Sequence, residues 1–321
     1  MRILNKLGQY GLVFWLAVSL NFCLPRLMPG SPLKLLVGED IGLLTAAQRA
    51  EALASVGLDQ PLLIQYLLYW RDLFQGNWGF SFQRNVAVST LLAERLPWTL
   101  LLGGSSLVLS TLIGVGLGAW AAWQRGRGQD VGLLGLVLLL ESLPTFWLGM
   151  VLLGFFAVHW QLFPSFGAMS RWVSLSGWAW IQDILRHLAL PLLTLTLTNL
   201  SRPFLVTRYA LLEVMGEDYI RVARAKGLPE QVVLLRHALR NALLPVVTVV
   251  ALNLAFALAG ATVVETVFAY PGLGRLTYEA VLARDYPVLQ ATFLLVTVLV
   301  ILANSLADLL YPVLDPRLRQ R

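Results

Sequence analysis

The residue types that carry out most protein chemistry are sparse in this chain and are not spaced for a reaction. An ATP-binding loop requires the pattern G-x-x-x-x-G-K-[ST], and none of the three lysines stands in that context. The three histidines, His159, His187 and His237, are far apart and lack the spacing of metal ligands. No G-x-S-x-G sequence presents a nucleophilic serine. The sequence therefore predicts no catalytic residue, no metal site and no cofactor bound by this chain.

The most polar part of the chain is the stretch at about 207–242. Acidic and basic side chains follow one another there at spacings that favour exposed helices. Gly227, Leu228 and Pro229 interrupt them, and glycine ends a helix at low cost while proline fits the start of the next one. The stretch is therefore predicted to form a helix, a sharp turn and a second helix that lie against a membrane.

A membrane is the expected solvent for most of the chain. Hydrophobic residues make up 57% of the 321 residues and charged residues 13%, with a mean hydropathy of +0.70, whereas soluble proteins carry roughly 25% charged residues. Continuous apolar runs without the alternation of barrel strands indicate helices. The six predicted spans are about 8–28, 97–123, 131–158, 187–206, 243–267 and 289–311.

The distribution of Lys and Arg predicts that both termini are cytoplasmic, because basic residues are concentrated in short segments on one side of the predicted spans. The formal net charge of +6 follows from this bias, so nucleic-acid binding is not expected. The first apolar run resembles a signal peptide but lacks a small-x-small cleavage site, and a retained first helix is the favoured interpretation.

Four regions follow from this division of the chain. They are a first transmembrane helix at 1–29, an external helical segment at 30–96, a core of five transmembrane helices at 97–312 and a cytoplasmic tail at 313–321. The external segment is predicted to contain two short helices at about 45–57 and 61–75, which form a small lid on the outer membrane surface.

Two sequences in the polar stretch are specific enough to identify a family. They are DYIRVARAKGLP at 218–229 and RHALRNALLP at 236–245. They resemble the coupling ("EAA") loop of binding-protein-dependent ABC importer permeases, and most of all that of the dipeptide/oligopeptide permease subfamily. The resemblance covers nearly the whole chain, and it continues in GLDQPL at 57–62, ERLP at 94–97, VETVFAYPGLG at 264–274, DYPVLQ at 285–290 and LDPR at 314–317.

The resemblance implies an all-α ABC importer type I permease fold and a transport subunit for di- or oligopeptides, not an enzyme. The expected partners are a second similar permease, two ABC ATPase subunits that bind ATP and Mg²⁺, and an extracytoplasmic solute-binding protein. The coupling loop would dock on an ATPase subunit, with Ala223, Ala225 and Gly227 providing small residues at the contact and Arg221, Arg224 and Lys226 providing charge. The full set assigned to coupling is Asp218, Tyr219, Arg221, Ala223, Arg224, Ala225, Lys226, Gly227, Arg236, His237, Asn241 and Pro245.

Several alternatives remain open from the sequence. The polar stretch is also compatible with an ordinary amphipathic loop at the membrane surface. Glu141, deep in the third predicted span, either lines the pathway and attracts a peptide amino group or makes an interhelical hydrogen bond. The same architecture can import nickel, glutathione or another small solute. An ATP-independent secondary transporter or channel is the alternative of another class, and it leaves the coupling loop without a purpose.

Overall fold

The computed structural model describes residues 2–27, 60–81, 83–170, 176–259 and 262–314, and these residues are mostly helical. The helices are α1 (Arg2–Leu27), α2 (Leu62–Phe74), α3 (Val88–Trp123), α4 (Gly128–Ser142), α5 (Thr145–Leu152), α6 (Gly177–Asn199), α7 (Ser201–Val214), α8 (Asp218–Ala225), α9 (Glu230–Val232), α10 (Leu239–Ala259), α11 (Thr262–Val267), α12 (Leu273–Ala283) and α13 (Tyr286–Leu314). Two π-helical segments, Leu153–His159 and Val233–Ala238, continue α5 and α9. The strands β1 (Phe80–Ser81) and β2 (Val86–Ala87) form an antiparallel hairpin.

Within the described residues, fewer helices meet the requirements of a membrane span than the six that the sequence predicts. Three are long and apolar enough, at Val88–Trp123, Glu230–Val250 and Tyr286–Asp308. A fourth is reached only if Gly128–Ser142 and Thr145–His159, which meet at an angle of 100°, form one broken span. The all-helical prediction is confirmed, and the prediction of six clear spans is not.

The third predicted span, at about 131–158, is bent because of a proline. Pro144 lacks a backbone N–H, and its ring disfavours helical backbone angles for the residue before it. Leu143 accordingly adopts extended angles of φ −80° and ψ 130°, and α5 begins at Thr145. The predicted span at about 131–158 is thus a bent pair of helices, and the sequence analysis did not predict this bend.

The chain divides into two compact units, of which the first is Met1–Trp98 with Pro271–Ile301. The predicted helix at about 61–75 is present as α2, and the predicted helix at about 45–57 lies outside the described residues. α2 contacts α1 through a hydrogen bond of 2.7 Å between the hydroxyls of Tyr66 and Ser19. The two helices thus form one structural element of this unit.

A charged cluster lies in the same unit, around Glu279 on α12. Arg84 and Arg275 each donate a hydrogen bond of 2.7 Å to this carboxylate. Burial alone would raise the pKa of Glu279, but the hydrogen bond from Arg84 and the charge of Arg275 outweigh it and lower the pKa overall. The cluster fixes the loop between β1 and β2 to α12.

The second unit is Thr99–Tyr270 with Leu302–Arg321, and it contains the predicted coupling loop. Part of its core is formed by Ala121, Val137, Leu200 and Phe204, which bring α3, α4 and α7 together. α6 and α7 follow one another with only Leu200 between them, and Leu200 keeps helical backbone angles. Helix α7 lies against α3 and α4 and also packs along α10.

Candidate functional site

The candidate site is the turn that follows α7, where the chain forms α8, reverses and enters the helix at 230–259. Glu217 has the extended backbone of a residue that precedes a helix. Asp218 lies in the first turn of α8, where a negative charge interacts favourably with the helix dipole. Gly227 has a φ of +75°, which glycine adopts without the steric cost that a side chain imposes. Pro229 then precedes α9. The structure has the helix–turn–helix arrangement that the sequence predicts.

One face of α8 is buried against the rest of the unit. Ile220 is fully buried and Ala223 is 7% exposed. Both belong to a cluster that includes Leu211 of α7 and Ala119 and Ala122 of α3. The sequence analysis placed Ala223 at the contact with a partner, and the structure corrects this, because Ala223 faces its own chain.

The opposite face of α8 is exposed and mixes charge with apolar surface. Val222 is 54% exposed and Tyr219 is 41% exposed, while Arg221 and Asp218 form an exposed ion pair at 3.2 Å. The exposed surface of the turn continues through Arg224, Ala225, Lys226, Gly227, Leu228 and Pro229. This surface has the mixed character of a protein contact site, since apolar groups are flanked by charges.

Two side-chain contacts connect the two halves of the turn. Arg224 donates to both carboxylate oxygens of Glu230, from Nε to Oε1 at 2.7 Å and from Nη2 to Oε2 at 3.3 Å. Asn241 donates from Nδ2 to the hydroxyl of Tyr219 at 2.8 Å. Arg224 therefore forms an ion pair within its own chain. From the sequence, it was predicted only to provide charge at the contact with a partner. Glu230 was not singled out, although opposite charges on either side of a glycine turn are a signal for such a pair.

The remaining predicted coupling residues lie on the second half of the turn. Arg236 and His237 are on the π-helical segment Val233–Ala238, where Arg236 is exposed and His237 partly buried. Asn241 and Pro245 are exposed in α10. All twelve residues thus belong to one helix–turn–helix segment, while their contact with an ATPase stays a prediction.

Glu141 lies away from this turn, in the last turn of α4. It is exposed, and the bend between α4 and α5 follows within three residues. Its role in a pathway stays a prediction.

We expect the Arg224–Glu230 contact to stabilise the turn only through its charge pairing. E230K places two positive charges side by side and should lower the amount of ATPase subunit recovered with the chain about twofold to threefold, since exposed pairs contribute roughly 0.2–1 kcal/mol. The combined variant R224E/E230K restores opposite charges and should restore recovery. Co-purification at low and high salt measures both effects, and recovery that is equal in all three proteins would contradict the prediction.

Comparison with known proteins defines the class to which this turn and its helices belong. The chain belongs to the family described as binding-protein-dependent transport system inner membrane component, whose profile matches residues 114–320. It is therefore a membrane-embedded permease subunit of an ABC importer and not an enzyme. The family implies ATPase and substrate-binding partners, as the sequence analysis predicted.

Relatives match the chain over nearly its full length. It is 39% identical to the dipeptide transport system permease protein DppB of Escherichia coli (strain K12), with 99% of this chain and 98% of that protein covered. It is 40% identical to a protein of Brucella ovis that is named as a peptide permease, with 96% of each chain covered. The resemblance to the dipeptide/oligopeptide permease subfamily is thereby confirmed.

Among solved structures, the chain is similar to a subunit of the MetNI methionine ABC transporter in an inward-facing conformation. The TM-score is 0.57 at 20% identity, and the match covers 70% of this chain and 96% of that chain. This similarity shows the ABC importer permease fold.

Proposed function

We propose that this chain forms half of the pathway through which an ATP-driven importer carries di- or oligopeptides into the cell. The observation that carries the proposal is the full-length similarity, at 39% identity, to a dipeptide transport system permease. A second similar permease would form the other half, and two ATPase subunits would bind ATP and Mg²⁺. An extracytoplasmic solute-binding protein would deliver the peptide.

The α8 turn is the proposed docking site for an ATPase subunit. Its exposed face offers Tyr219 and Val222 between charged side chains, and its buried face packs on α3 and α7. Because the buried face is closely packed, a push on the exposed face moves α8 together with the ends of these two helices. ATPase closure would in this way change the conformation of the pathway, which is the coupling role proposed for the twelve residues at 218–245.

The docking proposal also fixes the orientation of the chain. ATPase subunits work in the cytoplasm, so the α8 turn would be cytoplasmic, and the basic segments at both ends of the sequence support the proposal that both termini lie on the same side. Glu141 would then face the pathway near the bend after α4, where its carboxylate would attract the amino group of a peptide.

Recovery of partners and uptake of substrate test the proposal together. Purified in mild detergent from its native membrane, the chain should bring with it a second permease and a P-loop ATPase. Proteoliposomes of this complex with the solute-binding protein should import a tritiated dipeptide only with ATP present. A complex that imports Ni²⁺ or glutathione and no dipeptide would overturn the peptide assignment, and recovery of the chain alone would overturn the coupling assignment.

A further inference from the structure

Asp130 and Arg208 form an enclosed ion pair, and nothing in the sequence connects them. The Nε of Arg208 donates to Oδ1 of Asp130 at 2.7 Å, and Nη2 donates to Oδ2 at 2.8 Å. The Arg208 side chain is 12% exposed and the Asp130 side chain is 4% exposed. The backbone N–H of Gly126 adds a third hydrogen bond, to Oδ2 at 3.0 Å. The hydrogen bonds to Asp130 raise the pKa of Arg208 above its usual value, so this guanidinium stays charged.

On one side, the pair contacts α7, the helix that supports the helix–turn–helix segment at 218–245, here called the coupling turn. Arg208 lies on α7, one helical turn before Leu211, which packs against Ile220 and Ala223 of α8. Only a short turn separates the end of α7 at Val214 from the start of α8 at Asp218. A displacement of α8 is therefore passed to α7 close to Arg208.

On the other side, the pair holds the helix that leads to the bend. Asp130 lies in the first turn of α4, which continues without interruption to Ser142 and then meets the next helix at 100°. A helix transmits an axial displacement because its backbone hydrogen bonds keep its length fixed. The two-pronged contact between a guanidinium and a carboxylate also fixes orientation, which a single hydrogen bond does not.

Close packing also holds α7 against α3. A Cβ atom at Gly118 of α3 would lie 2.5 Å from the carbonyl oxygen of Phe204, so the two helix backbones are in near contact. α7 is thus in close contact with α3 on one side and joined to α4 by the Asp130–Arg208 pair on the other.

We infer that Asp130 and Arg208 are positioning residues that transmit the displacement of the coupling turn from α7 to α4 and to the bend at Leu143 and Pro144. This inference rests on the proposed function. A purely structural pair would support folding alone, whereas a transmitting pair also sets how much substrate moves for each ATP hydrolysed. The two roles differ in what the pair does after the protein has folded.

The test measures tritiated dipeptide imported per ATP hydrolysed, in proteoliposomes that contain the complete complex and its solute-binding protein. R208K keeps the positive charge but removes the two-pronged contact, and D130N/R208Q removes both charges so that neither is left buried alone. R127Q is the matched control, because Arg127 is exposed three residues before Asp130 and, among the described residues, its side chain donates a hydrogen bond to the nearby Gln124.

We expect all three variants to retain their ATPase subunits and to hydrolyse ATP. Import per ATP should fall at least about fivefold in R208K and D130N/R208Q and stay unchanged in R127Q. A wild-type ratio in R208K would overturn the inference, and so would a wild-type ratio in the double variant. If the double variant is not recovered in folded form, R208K decides alone. Failure of the unsubstituted complex to bind ATPase or to import would instead count against the proposed function.

Discussion

Replacement of Gly118 with alanine is expected to reduce the amount of folded protein several-fold. The new Cβ atom would lie 2.5 Å from the carbonyl oxygen of Phe204 and 3.0 Å from the Cβ atom of Thr207. A backbone oxygen cannot move aside without the whole of α7, and overpacking of this kind costs about 1–3 kcal/mol. Since α7 supports α8, loss of this contact should also loosen the coupling turn.

Gly116 provides a control two residues away on the same helix. A Cβ atom there meets nothing within 4 Å, so G116A introduces no clash. Alanine is also preferred to glycine inside a helix by roughly 0.5–1 kcal/mol. Thermal unfolding in detergent and the yield of monodisperse protein should therefore be lower for G118A than for the unsubstituted chain, with G116A equal or higher. Equal behaviour of the two variants would show that α3 and α7 are not in close contact.

Replacement of Ala223 with leucine is expected to remove most of the ATPase recovered with the chain, by about tenfold, while leaving membrane insertion intact. Ala223 is enclosed by the cluster that joins α8 to α3 and α7. A leucine needs room for three more carbon atoms, and the least costly response is displacement of the short helix α8. The exposed face of α8 would then no longer match its partner, although no residue of that face has changed.

Two further variants serve as a control and as a comparison for A223L. A93L places the same side chain at an exposed position of α3 and should leave ATPase recovery unchanged. G227A adds only backbone strain, about 1–2 kcal/mol, because the φ of +75° is unfavourable for alanine but a Cβ atom meets nothing within 4 Å. Its effect should be smaller than that of A223L. Co-purification of the ATPase, normalised to inserted chain, measures all three, and undiminished recovery with A223L would contradict the packing argument.

Much of the architecture followed from local sequence features. Apolar runs determine helices in lipid because unpaired backbone groups are costly there, and the described residues are mostly helical as expected. The turn at Gly227 and Pro229 was also predictable from local features, since glycine permits a positive φ and proline fixes φ wherever they occur. The motif at 218–245 also sufficed to identify the family, because its residues are continuous in the chain.

The bend in the third predicted span was not predicted, although its signal is local. Pro144 and the residue before it carry that signal, but apolar composition alone does not show where a helix bends. The bend places Glu141 close to a change in helix direction, in the last turn of α4.

The orientation of individual side chains was decided by the tertiary structure. The small size of Ala223 is equally compatible with an approaching partner and with its own core, and only the positions of α3 and α7 show that it faces inward. Arg208 and Asp130 are separated by 78 positions in the chain. Charge alone does not show which of the many carboxylates pairs with Arg208. Local backbone preferences and lipid solvation therefore determined the helices, the turn and the family, while long-range packing determined which residues support the coupling turn.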